Sequence, residues 1–338
     1  MGIKNMVDKI TLGHGSGGKL SAELIREFLK PLGNPILNRL EDSAVFPLCG
    51  KTAFTTDSFV VQPLFFLGGD IGSLSVSGTI NDLVSVGASP LYLSLALIIE
   101  EDFSRTDLKK IIYSAARTAA QAGVKVVTGD TKVVDRGKTH GLFITTSGCG
   151  LIPDDIVLGR SKIKAGDAVL VNGPVGDHAA AVMLARNEFS FSGKIRSDAA
   201  PLNGLVSRFL SRLKTVRFIR DITRGGLATI LSEVSDEMKW GIELNETAIP
   251  LRREVIGIAE ILGLDPLYFA CEGKMALFVA EEEAKEALRL LRKDPLGKDA
   301  AIIGRVVSEP AGRTILRTRI SGTRLLEPFS GDQLPRIC

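Results

Sequence analysis

The chain has 338 residues, 45% of them hydrophobic, enough for two ordinary domains that each bury a core. Lys and Arg number 42 against 39 Asp and Glu, and the resulting net charge of +3 is too small an excess to require a nucleic-acid partner. Apolar runs such as 91–99 are far shorter than the roughly 20 residues of a membrane span, and the N-terminus carries no apolar signal core, so the sequence predicts a cytoplasmic protein with no membrane partner.

In chain order, the glycine turn His14-Gly15-Ser16-Gly17-Gly18-Lys19 precedes a helical pattern at 22–29. Residues 53–61 mix β-branched and aromatic side chains and read as a strand. After the breaker Gly68-Gly69-Asp70, the residues Val76, Ile80, Leu83 and Val84 fall at helical spacing within 71–87, and 91–99 reads as a buried strand. A helix is expected over 106–122, capped by Thr106, striped by Leu108, Ile111, Ile112 and Ala115, and stopped by Gly123. Strands at 125–128 and 142–149 complete a first mixed α and β unit.

A Pro, two acids and a Gly within 152–159 mark a boundary. The second unit offers a strand at 168–172, a glycine turn into a helix at 178–186, a helix at 202–213, a strand at 216–220 with a helix after it, and further elements at 278–291 and 302–307. The expected organisation is a domain over 1–155, a second α/β domain over 156–326 and a flexible tail over 327–338. That tail holds Pro328, Gly331, Asp332 and Pro335 and shows neither period.

Cys49, Cys149, Cys271 and Cys338 form no CxxC pair, which argues against disulfides and structural metal. The first three lie in or beside apolar stretches and read as buried thiols, whereas Cys338 is a nucleophile on a flexible arm. Asp42, Asp57, Asp130 and Asp221 share a setting at strand ends or glycine-rich turns, with Asp70 in a looser turn and Asp82 within a helical pattern. Any one of them alone is more often a cap or an Asx turn than a ligand; their number beside Lys132 and several glycine turns is what points to Mg²⁺ and phosphate. The turns Gly173-Pro174-Val175-Gly176-Asp177-His178 and Thr223-Arg224-Gly225-Gly226 open helices, as punctuation or as phosphate cradles, and neither matches a Walker or Rossmann pattern. His14, His140 and His178 stand in unlike contexts and suggest no metal triad. Glu272, between an apolar run and Gly273, is either a solvated strand-edge acid or a general base tuned by partial burial.

Six segments carry a resemblance across nearly the whole chain: Thr56-Asp57-Ser58-Phe59-Val60-Val61, Gly68-Gly69-Asp70-Ile71-Gly72, Gly78-Thr79-Ile80-Asn81-Asp82-Leu83, Thr128-Gly129-Asp130-Thr131-Lys132-Val133-Val134, the turn 173–178, and Asp221-Ile222-Thr223-Arg224-Gly225-Gly226-Leu227. They resemble the HypE family of hydrogenase maturation factors, relatives of aminoimidazole ribonucleotide synthetase, selenophosphate synthetase and thiamine-monophosphate kinase. The ending Pro335-Arg336-Ile337-Cys338 separates HypE from those relatives, and Ala270-Cys271-Glu272-Gly273 departs at position 271 from the Ala-Asn-Glu-Gly of the pattern.

The resemblance implies a two-domain α/β (α+β) fold of the aminoimidazole ribonucleotide synthetase type, whose N-terminal domain shares a β-barrel with a second copy in a homodimer. It implies ATP and Mg²⁺ as cofactors, with Asp42, Asp57, Asp82 and Asp221 on the metal and phosphate side and Asn81, Asp130, Thr131, Lys132 and His140 around the nucleotide. It further implies that a carbamoyltransferase, HypF, loads Cys338, and that ATP-driven dehydration then gives a thiocyanate. In that chemistry Glu272 is the base and Lys132 offsets phosphoryl charge. The cyanide passes to the iron of a nickel-iron hydrogenase on a HypC and HypD scaffold. Two rivals remain on the sequence alone: a synthetase or kinase of the same fold acting on a free small molecule, and a non-catalytic scaffold.

Overall fold

The computed structural model describes residues 9–16, 18–186 and 195–328. Helix α1 (Gly18–Leu32) leads to strand β1 (Thr52–Phe59), and a two-residue ladder of β2 (Phe65–Phe66) with β3 (Gly69–Asp70) delivers the chain to α2 (Ile71–Ser85). Asp70 is spent on that helix. Its carboxylate accepts from the N–H groups of Gly72 (2.8 Å) and Ser73 (3.0 Å), while the Ser73 hydroxyl accepts from the Asp70 N–H, so the looser turn expected there is a capping box. α2 is buried on almost every side, polar Ser75, Ser77, Thr79 and Asn81 included, because it runs between the two units of the molecule.

β4 (Ser89–Glu100), α3 (Arg105–Ala122), β5 (Lys125–Val134) and β6 (Leu142–Leu151) complete the first unit. The cap of α3 is Ser104, whose backbone is extended and whose hydroxyl accepts the Asp107 N–H at 3.2 Å; the expected cap Thr106 already lies inside the first turn. Gly123 stops the helix in the left-handed conformation, as its sequence predicts. The sheet order is β1-β6-β4-β5, with β4 and β5 parallel across the α3 connection and the other pairs antiparallel. Leu93, Leu95, Leu97 and Ile99 point into the core under the helices, whereas Phe54, Ile98 and Lys132 lie on the other face, where Phe54 is 73% exposed. The two lateral edges, β1 and β5, are three strand spacings apart, about 14 Å.

The second unit is a larger sheet built from β7 (Ala168–Val171), β8 (Val216–Asp221), β9 (Gly241–Asn245), β10 (Met275–Val279), β11 (Ala301–Val307), β12 (Thr314–Arg317) and β13 (Thr323–Leu326), in the order β13-β12-β9-β11-β7-β10-β8. All its pairs are antiparallel except β12 with β9. Helix α4 (Asp177–Ala185) and α7 (Arg253–Leu262) bury against the core of the first unit, through Ala179, Val182, Val255 and Ile258. α5 (Asn203–Leu210) and α8 (Ala284–Arg292) cover one face of the large sheet and α6 (Gly226–Asp236) the other. Because β10 runs antiparallel to both β7 and β8, the start of β10 and the ends of its neighbours lie together at the end of the sheet that faces α2.

Candidate active site

Four carboxylates from four elements converge where the two units meet. Asp57 comes from β1, Asp82 from α2, Asp221 from the last position of β8, and Glu272 from the turn that leads into β10. The turn is laced to β8: Cys271 N–H donates to the Ile222 carbonyl (3.0 Å) and Ile222 N–H to the Lys274 carbonyl (2.9 Å), which sets Glu272 beside Asp221. The Thr55 hydroxyl donates to Asp82 at 2.7 Å and orients it. Burial, then the charges of Asp82 and Asp221, raise Asp57 to about 6; Arg224 opposes this. Asp221 is likewise raised to about 6, by burial first and Asp82 next. Glu272 is 4% exposed, and burial followed by Asp198, Asp221, Asp57 and Asp82 pushes it well above the usual carboxylate range. The solvated strand-edge reading of Glu272 is therefore excluded.

A Mg²⁺ ion here would depend on ligands beyond the protein. Among the described residues no three His, Cys, Asp or Glu side chains are grouped so as to hold a metal ion by themselves. Asp57, Asp82 and Asp221 instead repel one another across an open site, which is the arrangement that a few carboxylates, phosphate oxygens and water would complete around the ion. Asp57 does not end its strand, as its motif suggested, but lies inside β1 facing α2.

The other expected site residues fall elsewhere. Asp130, Thr131 and Lys132 sit within β5 on the opposite lateral edge of the first sheet, not in a glycine turn. Gly129 explains the difference: a Cβ there would lie 2.3 Å from the Leu95 carbonyl oxygen, so the glycine serves a close strand approach. Lys132 and Asp130 are exposed and paired at 3.6 Å, and Thr131 N–H donates to Asp130 at 2.8 Å. They border a cavity of about 330 Å³ beneath α1, walled by Leu24, Phe28, Leu95 and Val126 and reached by His14 and Gly15 of the first glycine turn. Asp42 lies in the exposed loop 40–51, and His140 is exposed next to Phe143. The principal charges acting on the four-carboxylate group come from its own members with Asp198, Arg220 and Arg224, not from Asp42, Asp130, Lys132 or His140. Asn81 turns its amide to the backbone of residues 200, 202 and 272. Cys338 lies outside the described residues, as does Gly17.

Three residues of the site were missed. Asp198 and Lys274 form an ion pair of 3.1 Å beneath Glu272, and Arg224 acts on Asp57 although its motif was read only for its glycines. The lone signal for Lys274 was its place in the Glu272 turn. Cys49 is exposed rather than buried; Cys271 is buried, and its sulfur accepts the Gly176 N–H at 3.1 Å, a packing role at the position that departs from the pattern.

Residues 40–152 match the family model of the AIR synthase related protein N-terminal domain, and residues 164–317 that of the C-terminal domain. The chain is 45% identical over 335 residues to a carbamoyl dehydratase HypE of Rhodobacter capsulatus, covering 98% of both proteins, and 46% identical to that of Cupriavidus necator, covering 98% of this chain and 95% of the relative. Among solved structures, a HypE in complex with ATP superposes with a TM-score of 0.93 at 42% identity, covering 97% of this chain and 99% of that one. A chain of a HypE–HypF complex superposes with a TM-score of 0.79 at 42% identity, over 92% and 99%. Two AIR synthase related domains in order, the mixed α/β architecture and this identity along nearly the whole length settle the kinship: the chain belongs to the HypE family of hydrogenase maturation proteins.

Proposed function

We propose that this protein uses ATP to dehydrate an S-carboxamide on its own Cys338 to a thiocyanate, the cyanide source for nickel-iron hydrogenase. The observation that carries the reading is the convergence of Asp57, Asp82, Asp221 and Glu272 close to where the described chain ends. The Tyr268 hydroxyl donates to the Glu327 carbonyl at 3.0 Å, four residues before Glu272 in sequence. Residues 329–338 span at most roughly 33–36 Å when fully extended.

The chemistry divides among the residues as follows. The carboxamide oxygen attacks the γ-phosphorus of ATP, ADP leaves, and the oxygen becomes a phosphate leaving group. Loss of that phosphate with both nitrogen protons closes the C≡N bond, so the Cys338 adduct loses the elements of water. Mg²⁺ held by Asp57, Asp82 and Asp221 would offset charge on the phosphates. Glu272, buried among carboxylates, has high proton affinity and is the group assigned to take a nitrogen proton. Lys132 supplies positive charge to the transferring phosphoryl group.

Within one copy Lys132 and Asp57 lie on opposite edges of the sheet and on opposite faces of it. A second copy whose β5 edge runs along this β1 edge brings its Lys132 and its cavity to the first copy's Asp57. The exposed face carrying Phe54 and Ile98 would be covered in the same step, as a shared barrel requires. The cavity beneath α1 then takes the nucleoside end of ATP. HypF is the expected donor of the carbamoyl group, in keeping with the HypE–HypF complex, and HypC with HypD the expected acceptor of cyanide.

Intact mass spectrometry tests the proposal. The protein is incubated with HypF, carbamoyl phosphate and ATP, purified, and given Mg²⁺-ATP, with Cys338→Ala alongside. Gain of one carbamoyl mass followed by loss of one water, both absent in the variant, is the expected result. An alanine variant that behaves like wild type would move the reading to a free small-molecule substrate.

A further inference from the structure

The Glu272 peptide is gripped from both sides by side chains from different parts of the molecule. Its carbonyl accepts from the Asn81 Nδ2 on α2 at 3.2 Å, and its N–H donates to Asp198 Oδ1 at 3.2 Å. The next N–H, of Gly273, donates to Asp198 Oδ2 at 3.3 Å. Neither gripping side chain is available to solvent: Asn81 is 3% exposed, and the Asp198 side chain also 3%.

The remaining bonds of these two residues tie the same region together. Asn81 Nδ2 also donates to the Ala200 carbonyl (3.1 Å), and its Oδ1 accepts the Leu202 N–H (2.8 Å), so both amide donors are committed. Asp198 is paired with Lys274, whose ammonium also donates to the Gly273 carbonyl at 3.2 Å. Residues 195–202 thus form a strap over the Glu272 turn, and the strap is fastened to both units. Ser197 N–H donates to the Leu67 carbonyl of the first unit at 2.7 Å, and the Ser197 hydroxyl meets His178 Nδ1 on α4 at 2.8 Å. Asn81 and Asp82 are neighbours on one rigid helix, about 100° apart around its axis. α2 therefore sends one side chain into the carboxylate group and the next to the backbone of Glu272.

We propose that Asn81 and Asp198 are positioning residues of the active site: together they fix Glu272 against Asp57 and Asp82 across the junction of the two units, without touching ATP. This rests on the reading of Glu272 as the base. Binding of nucleotide is left to other groups, so the clamp governs the rate of the chemical step.

The test uses the full-length carbamoylated protein, with Asn81→Asp, which keeps the shape but loses both donors, and Asp198→Asn. Dehydration is followed by mass spectrometry over a range of Mg²⁺-ATP concentrations, and hydrogen exchange is read at Leu202, Glu272 and Gly273. The expected result is a kcat at least tenfold lower with KM for ATP within about twofold of wild type. Exchange should be faster at Glu272 and Gly273 in both variants, while Leu202, whose N–H keeps an oxygen acceptor at position 81 in Asn81→Asp, serves as the control. A KM that rises in step with the loss of rate makes these residues ligand contacts and overturns the proposal, as does faster exchange with kcat unchanged. Should Asn81→Asp not fold, Asp198→Asn carries the same comparison alone. A Glu272→Gln variant that retained full rate would sink the base assignment by itself; the clamp is then judged by exchange, and unchanged protection at Glu272 and Gly273 overturns it.

Discussion

Asp57 and Asp221 carry a consequence that a melting curve can read. Both have folded pKa values near 6 against the usual 3.8, because burial and neighbouring carboxylates disfavour the charged form. A carboxyl raised in the fold contributes its extra stability in full below about pH 3.8 and loses it as pH rises through about 6. The Mg²⁺-free protein should therefore lose stability relative to Asp57→Asn between about pH 5 and about pH 7.5, and Mg²⁺ should narrow that gap mainly at the higher pH. Thermal melts of both proteins at the two pH values check this, with a change in the Tm difference of about 3 °C or more expected. A difference that stays flat across that range would remove the repulsion account. At this scale the sequence was informative for three of the converging carboxylates: Asp57, Asp82 and Asp221 stand in distinct motifs. It was silent on Asp198, which lies in an aperiodic stretch and owes its place to contacts with residues about 75 positions away.

The turn into β10 shows how one element depends on another. A Cβ on Gly273 would sit 2.0 Å from the Asp198 carbonyl oxygen, so the strap passes where no other residue fits. Gly273→Ala should displace 195–202 from Glu272, cost about 1–3 kcal/mol of stability by overpacking, and lower dehydration more than tenfold. Urea denaturation and the mass assay measure the two effects, and a variant as stable and active as wild type would show that the strap is free to shift. Elements with strong periodic or terminal signals were legible: β4 from its apolar run, α3 from its stripe and its terminal Gly123. β5 was read short, ending at 128, because Gly129 looked like a break when it marks the close approach to β4. The β12–β13 hairpin gave no comparable signal: its strands are short, and β13 has only Leu326 buried.

Across the whole molecule, the alternation of strands and helices gave the α/β class and two units in succession. How those units touch was beyond composition and period, since the junction is made by α2, α4 and α7 sharing one apolar cluster drawn from both. The same holds for the placing of Asp57 and Lys132 on opposite edges of one four-stranded sheet. If each catalytic centre takes Asp57 from one copy and Lys132 from the other, two dead chains can repair one another. Asp57→Asn and Lys132→Ala proteins, inactive alone, form mixed dimers in which both lesions fall in one centre and the other centre is intact. Random reassortment of equal amounts should then restore about a quarter of wild-type dehydration. If mixing restores nothing, each centre draws both residues from a single chain.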